Sequence, residues 1–391
     1  MIKRILSTML VTAMLGGCTT DAFVGESESP YFNKFYGNAN DDQSYRVSQL
    51  ADGGYLIVGS TEKLSGGDSD ILVIKSDSRG NLVWEQVIGG SFTDFGTDGV
   101  IAADGNLYVT GLITNNETED ENGALISLNP TTGEVIDSAS FGLPNRMERG
   151  LRIFNSNSGS LMVMLNRDDD EGSEMVISEL DLVAQDTLYR DYGFLNNQDS
   201  VNMVLQSTND NLVWSGTVRG ENSFTKNIRV TSTNLDGQVL WDYLMPYENQ
   251  EAADMDDAGI GYIVVGTRDE GINSNIILAM VNRDGNGLLW ESEIEESGGQ
   301  KASAVSKTSD GGFIVTGTTN YETDDEQIIL IKTDSKGNVQ WKKYFGGSSN
   351  DRGADVLQSS DGNYVLLSTS TISNNSILEL IKTSDKGLLV D

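Results

Sequence analysis

Asp52-Gly53-Gly54-Tyr55-Leu56-Ile57-Val58-Gly59 returns later in the chain as Asp310-Gly311-Gly312-Phe313-Ile314-Val315-Thr316-Gly317. Weaker copies lie between and beyond them: DGNLYVTG at 104–111, SGSLMVML at 158–165, DNLVWSG at 210–216, GIGYIVVG at 259–266 and DGNYVLLS at 361–368. Their last residues fall at 59, 111, 165, 216, 266, 317 and 368, so one unit of 50 to 54 residues recurs seven times. A period of that length, held over the whole chain, marks a repeat architecture in which each unit buries its apolar surface against the next.

Four short β segments fill each unit. In the first they read Tyr45–Leu50, Tyr55–Ser60, Ile71–Ser76 and Leu82–Ile88, here called a, b, c and d. Asp-Gly or Ser-Gly pairs join a to b, because a tight hairpin needs residues that accept positive φ. A second turn joins c to d, as in SDSRGN at 76–81, TNLDGQ at 233–238 and TDSKGN at 333–338. No long stretch carries a sustained 3.6-residue apolar period, so helices are not expected. The inner segments run unbroken, as ILVI at 71–74, YIVV at 262–265 and IILAMV at 276–281. A sheet with one wet face would alternate, so both faces must be covered. Four-stranded antiparallel sheets covered on both faces by copies of themselves form the blades of a β-propeller, a better match to ~50 residues per unit than a linear solenoid coil.

The chain ends supply the closure. Phe32-Asn33-Lys34-Phe35-Tyr36-Gly37 matches the d segment Trp341-Lys342-Lys343-Tyr344-Phe345-Gly346, while the seventh unit stops at Gly387-Leu388-Leu389-Val390-Asp391, short of its own d segment. The expectation is an all-β, seven-bladed β-propeller of four-stranded antiparallel blades spanning 31–391, with the N-terminal strand closing the last blade.

Ahead of it, Lys3 and Arg4 precede an apolar run from Ile5 to Leu15 that ends at Leu15-Gly16-Gly17-Cys18. The run is far below the ~20 residues that a spanning helix needs, and so reads as a signal peptide. Small residues before a cysteine resemble the lipobox of bacterial lipoproteins. The resemblance implies removal of 1–17, acylation of Cys18, and a polar tether over 18–30. Cys18 is the only cysteine, so no intramolecular disulfide competes for it. Thr19 after Cys18 fits release to the outer membrane by the same analogy.

The whole chain carries a formal charge of −33. Without 1–17 it keeps 24 of the 26 Lys and Arg and all 59 Asp and Glu, and 24 − 59 = −35. Such a surface repels nucleic acid and bare anionic lipid, leaving the acyl chains as the membrane contact. Histidine is absent, which excludes Ser-His-Asp and Cys-His nucleophile systems and imidazole metal sites.

Trp84, Trp241 and Trp341 stand four residues after Gly80, Gly237 and Gly337, with Trp290 in the equivalent slot. With DGGYLIVG and the NPTTG turn at 129–133, this pattern resembles the repeats of secreted and lipoprotein propellers of the Bacteroidota and, more distantly, quinoprotein dehydrogenase-like propellers. The resemblance implies a fold and no activity. Seven units and the lack of adjacent cysteines depart from the quinoprotein enzymes.

In an antiparallel blade the a–b and c–d turns share one rim, and the b–c loops share the other with the d-to-a crossings. The b–c loops are the longest and most varied, and acidic. Asp68, Asp70, Glu119, Asp120, Asp168, Asp169, Asp170, Asp324 and Asp325 are all expected on that rim. Such loops could hold a hard divalent cation such as calcium, although Asp168-Asp169-Asp170-Glu171 lacks the spacing and glycine of an EF-hand. No cofactor and no catalytic residue is assigned. The composition points to a non-catalytic, lipid-anchored binding or scaffolding protein of the outer membrane that holds a protein or glycan partner on the acidic rim. A carboxylate-dependent glycan hydrolase or lyase over the central channel is the alternative, and needs a free pair of carboxyls.

Overall fold

Chain reversals at the Gly-containing turns fold each repeat into a four-stranded antiparallel sheet, and the computed structural model arranges seven such sheets in a ring. It describes residues 29–37, 41–62, 68–114, 121–142, 147–169, 172–181, 186–191, 200–219, 225–271 and 273–390, with the backbone alone at 168–169, 172–174, 181 and 186–191. Blades 1 to 6 span 42–88, 95–141, 147–191, 200–244, 250–294 and 300–345. Blade 7 takes strands a to c from 351–383 and its outer strand from Phe32–Tyr36, which pairs antiparallel with Asn375–Thr383 from Phe32 opposite Lys382 to Tyr36 opposite Leu378. The ring is the predicted seven-bladed propeller, closed as predicted.

Burial follows the apolar runs. Strands b and c are covered on both faces, with Ile57, Val73, Ile74, Val265, Ile276 and Ile331 among the residues at or near zero exposure. Each core cluster joins strands of adjacent blades, as where Leu56, Val58 and Ile71 of blade 1 pack with Val109 and Ile126 of blade 2. No blade owns a complete core, so the ring is the cooperative unit.

The tryptophans lock blade to blade. A Cβ added to Gly133 in the c–d turn of blade 2 would lie 2.7 Å from the Trp84 indole of blade 1, and Gly133 has φ +76°. Only glycine serves both the turn and the contact. Trp241, Trp290 and Trp341 meet Gly285, Gly337 and Gly387 in the same way, and each indole also lies about 6 Å, ring to ring, from an aromatic at the head of the next strand b. At the closure Phe32 takes the tryptophan's place, against Gly80 and 6.3 Å from Tyr55. Tyr36 Oη adds a 2.6 Å hydrogen bond to the Gly80 carbonyl.

Strand a begins earlier than its apolar pattern suggests, at Asp42 and not Tyr45 in blade 1. Its first residues are polar yet buried, Asp42 at 0% and Ser44 at 8% exposure. The sequence signal is further masked because every strand a carries a β-bulge where register slips by one residue, at Tyr45 in blade 1 and Ala354 in blade 7. The bulge turns the following residue toward the ring axis, where the seven strands converge.

Candidate functional site

The residues after the seven bulges are Arg46, Asp98, Arg152, Met203, Asp254, Ala304 and Asp355. Together they form a buried ionic ring in the channel. Arg46 lies 3.4 Å from Asp355 and 3.9 Å from Asp98; Arg152 lies 3.6 Å from Asp98 and 3.3 Å from Asp254, and rests against the Met203 thioether. Burial works against the charge of both guanidiniums. For Arg46 the surrounding Asp355, Asp254 and Asp98 outweigh it and its pKa is raised; for Arg152 burial and the like charge of Arg46 win and its pKa is lowered. Asp254 is pushed up by burial despite both arginines.

Each carboxylate also accepts a main-chain N–H of the next blade. Asp98 takes Ile153 N at 3.2 Å, Asp254 takes Val305 N at 3.1 Å and Asp355 takes Val47 N at 2.9 Å. The ring therefore joins blades, and its acids are engaged as a structural latch. Above it, toward the a–b turns, the channel opens into a cavity of about 500 Å³ lined by the ring together with Phe154, Leu205, Asp256 and Ser306.

Sequence reading missed this ring. The charged types recur at one place in successive repeats, which was a usable signal, but the partners lie about 50 residues apart and their convergence appears only when the blades close. A free carboxyl pair over the channel, which the hydrolase reading requires, is not what the ring offers.

A second concavity opens on the b–c rim across blades 4 to 6. It encloses about 610 Å³ and is lined by Lys226, Glu251, Thr267, Asp269, Asn273, Lys301 and Tyr321, with Asn249 and Glu322 at its edge. Lys301 Nζ lies 3.3 Å from Tyr321 Oη, and Lys226 pairs with Glu251. Three non-glycine residues at or beside the groove hold positive φ: Asn249 at 60°, Asn320 at 55° and Glu322 at 65°. Such conformations cost on the order of 1–3 kcal/mol each and concentrate where loops are shaped for binding.

The predicted acidic rim is found in part. Asp324 and Asp325 are exposed in the b–c loop of blade 6, and Asp68 is half-buried at the entry to strand c of blade 1. Asp70 stands at the same rim, but within strand c and 1% exposed, beside Gly89 and Asp94 of the d-to-a crossing. Its neighbour Asp94 accepts Gly90 N at 2.6 Å and Thr114 N at 2.7 Å, and so ties the crossing to the next blade. Glu119, Asp120 and Asp170 lie outside the described residues, as do Glu171, the side chains of Asp168 and Asp169, and Cys18. Among the described residues no three acidic or thiol groups converge as metal ligands.

The opposite rim holds the expected turn caps. Asp77 and Asp334 each accept two N–H groups of their own c–d turn. Lys75, Lys332 and Lys382 pair with the a–b turn acids Asp52, Asp310 and Asp361 at 2.7–2.9 Å. Burial raises the pKa of Asp310 and Asp361, but hydrogen bonds from the adjacent hydroxyl and lysine prevail and hold both at about 2.

No family model and no curated protein matches the chain, so the resemblance of its repeats to Bacteroidota propellers has no counterpart at that level. Solved structures do match. The chain is similar to the polysaccharide lyase Uly1 (TM-score 0.57, 9% identity, 94% of each chain covered). It is also similar to an oligogalacturonate lyase in complex with manganese (TM-score 0.52, 12% identity, covering 91% of this chain and 97% of that one). The β-propeller domain of the Trilobed protease from Pyrococcus furiosus matches at TM-score 0.52 and 13% identity, with 91% and 97% covered. At such identities the likeness is one of fold alone, and it establishes the chain as a distant relative in shape of other β-propellers.

Proposed function

We propose that the protein is a non-catalytic binding or scaffolding lipoprotein of the bacterial outer membrane, tethered through acylated Cys18, which holds a protein or glycan partner on its b–c rim. The observation that carries this reading is the groove of about 610 Å³ across blades 4 to 6, set among varied loops and bordered by three strained non-glycine residues. A rigid ring presenting variable loops is a common way to build a binding face. The engaged carboxylates of the channel direct attention to the rim.

The test places a photocrosslinking side chain at Tyr321 in the groove or at Ser78 in a c–d turn, in the lipidated protein within its native envelope. Capture of a defined protein or glycan from position 321, lost on Thr323→Arg and not seen from position 78, is the expected result. Equal capture from both positions overturns it.

A glycan lyase acting in this groove, and not over the channel, is the second reading, because Lys301 and Tyr321 place an amine and a phenol side by side there and the fold relatives include a polysaccharide lyase and an oligogalacturonate lyase. Formation of unsaturated uronate products from polyuronates, abolished by Tyr321→Phe, is the outcome that would favour it.

A further inference from the structure

We infer that the face carrying the a–b and c–d turns lies against the lipid surface, through a broken belt of aliphatic side chains around its perimeter. This rests on the Cys18 anchor proposed above and adds an orientation to it.

The belt is encoded by the repeats. The first two residues of the outer strands, directly after the c–d turns, include Leu82, Val83, Ile136, Leu240, Leu289 and Val339, which are 40–55% exposed. Outer strands need β-formers, but threonine would serve as well on a wet edge, and single scattered aliphatics would not return to the same height in five blades. Arg79, Lys336 and Lys386 are exposed in the neighbouring turns. Aliphatic contact with cations beside it suits a layer of zwitterionic head groups. Exposed acids stand on both rims, among them Asp52, Asp310 and Asp385 on this one and Asp269 and Asp324 on the other, so the belt and the route of the chain, not charge, carry the orientation.

The route of the chain agrees. Phe32 pairs with Lys382 and touches Gly80, both at the c–d end of their blades, so the polypeptide enters the closing strand from that rim. Cys18 precedes Phe32 by 32 − 18 = 14 residues. As a random coil such a length spans ~20 Å, whereas a strand of eight residues stands ~26 Å tall. An anchor reaching the membrane from the c–d rim needs no stretching. With the b–c rim toward the lipid, the linker would have to run back along the full height of a blade.

The experiment uses the full-length acylated protein in phosphatidylethanolamine vesicles whose acyl chains carry bromine. Acylation blocks the native thiol, so Leu240→Cys or Thr323→Cys gives a single site for an environment-sensitive fluorophore. Several-fold stronger quenching at 240 than at 323 is expected. The difference should shrink when Val83, Ile136 and Leu289 are changed to serine, with the melting curve of that variant confirming that it still folds. Equal quenching, or stronger quenching at 323, by protein that still sediments with vesicles overturns the orientation and leaves the anchor standing. Protein that carries no acyl group and does not sediment overturns the anchor itself. Quenching that vanishes while 240–240 crosslinks form between copies shows that the belt meets a second chain instead, and also overturns the inference.

Discussion

At the residue scale the ionic ring separates acids that look alike in the sequence. Asp355 is bound to Arg46 and to Val47 N, so Asp355→Asn leaves the half-buried Arg46 guanidinium with only Asp98, 3.9 Å away, as an ion-pair partner. A loss of about 3 kcal/mol in unfolding free energy is expected by denaturant titration. Asp254 is the third carboxylate among two arginines, and burial already raises its pKa. Burial already disfavours its charge and Asp254→Asn keeps an acceptor for Val305 N, so a change within about 1 kcal/mol is expected. Equal losses would show that the ring is not one charge network. Asp310 and Asp361 act in the opposite sense. Their folded pKa values of about 2 lie below the unfolded value near 4. Their stabilisation is therefore complete above that unfolded value and disappears as pH falls toward about 2. The double change to asparagine should flatten the acid limb of stability against pH, measured by urea unfolding, relative to the parent. Both acids were legible as turn residues from their Asp-Gly setting. Their lysine partners were not, because an apolar strand ending in lysine looks like a strand leaving the core, whereas Lys332 and Lys382 are buried to 2% and 4% exposure.

At the element scale the closing strand is the contact most open to test. Phe32–Tyr36 is held by its ladder to Asn375–Thr383, by Phe32 on Gly80 and by the Tyr36 hydroxyl. Phe32→Ala removes an aromatic from a half-buried site and should cost about 2 kcal/mol, and Tyr36→Phe about 1 kcal/mol. Deletion of 31–37 exposes a complete strand edge in blade 7 and should lower the melting temperature far more than either. An unchanged melting temperature would mean that the ring does not depend on closure. The strand was readable because Phe32 to Gly37 copies the spacing of a d segment whose own blade lacks one. Strand a was read three residues short, since buried polar residues such as Asp42 give no hydrophobic signal and the bulge breaks the two-residue alternation. The belt on the outer strands was present in the letters too, yet exposure belongs to the assembled ring: Leu82 and Leu56 are the same residue type, 53% and 2% exposed.

At the scale of the whole molecule, charge and anchor set the expectations. With a net charge of −33, self-repulsion opposes the compact state. Thermal stability should rise with sodium chloride, and a further rise with millimolar calcium at matched ionic strength would reveal specific coordination on the rim. Cys18→Ser should move the protein from the membrane to the soluble fraction with loss of acyl labelling, and retention with unchanged labelling would refute the anchor. The closing strand carries one more consequence, which concerns order in time. As the chain is made, Phe32 emerges hundreds of residues before its partner Lys382, so the first piece of sheet to be delivered is the last to be paired. Six blades can stack as they arrive, while the seventh waits with an open groove and the strand that fills it hangs free at the other end of the chain. At high local concentration that groove can accept the leading strand of a neighbouring molecule as readily as its own. Overproduction should therefore yield strand-exchanged dimers that refold to monomers on dilution.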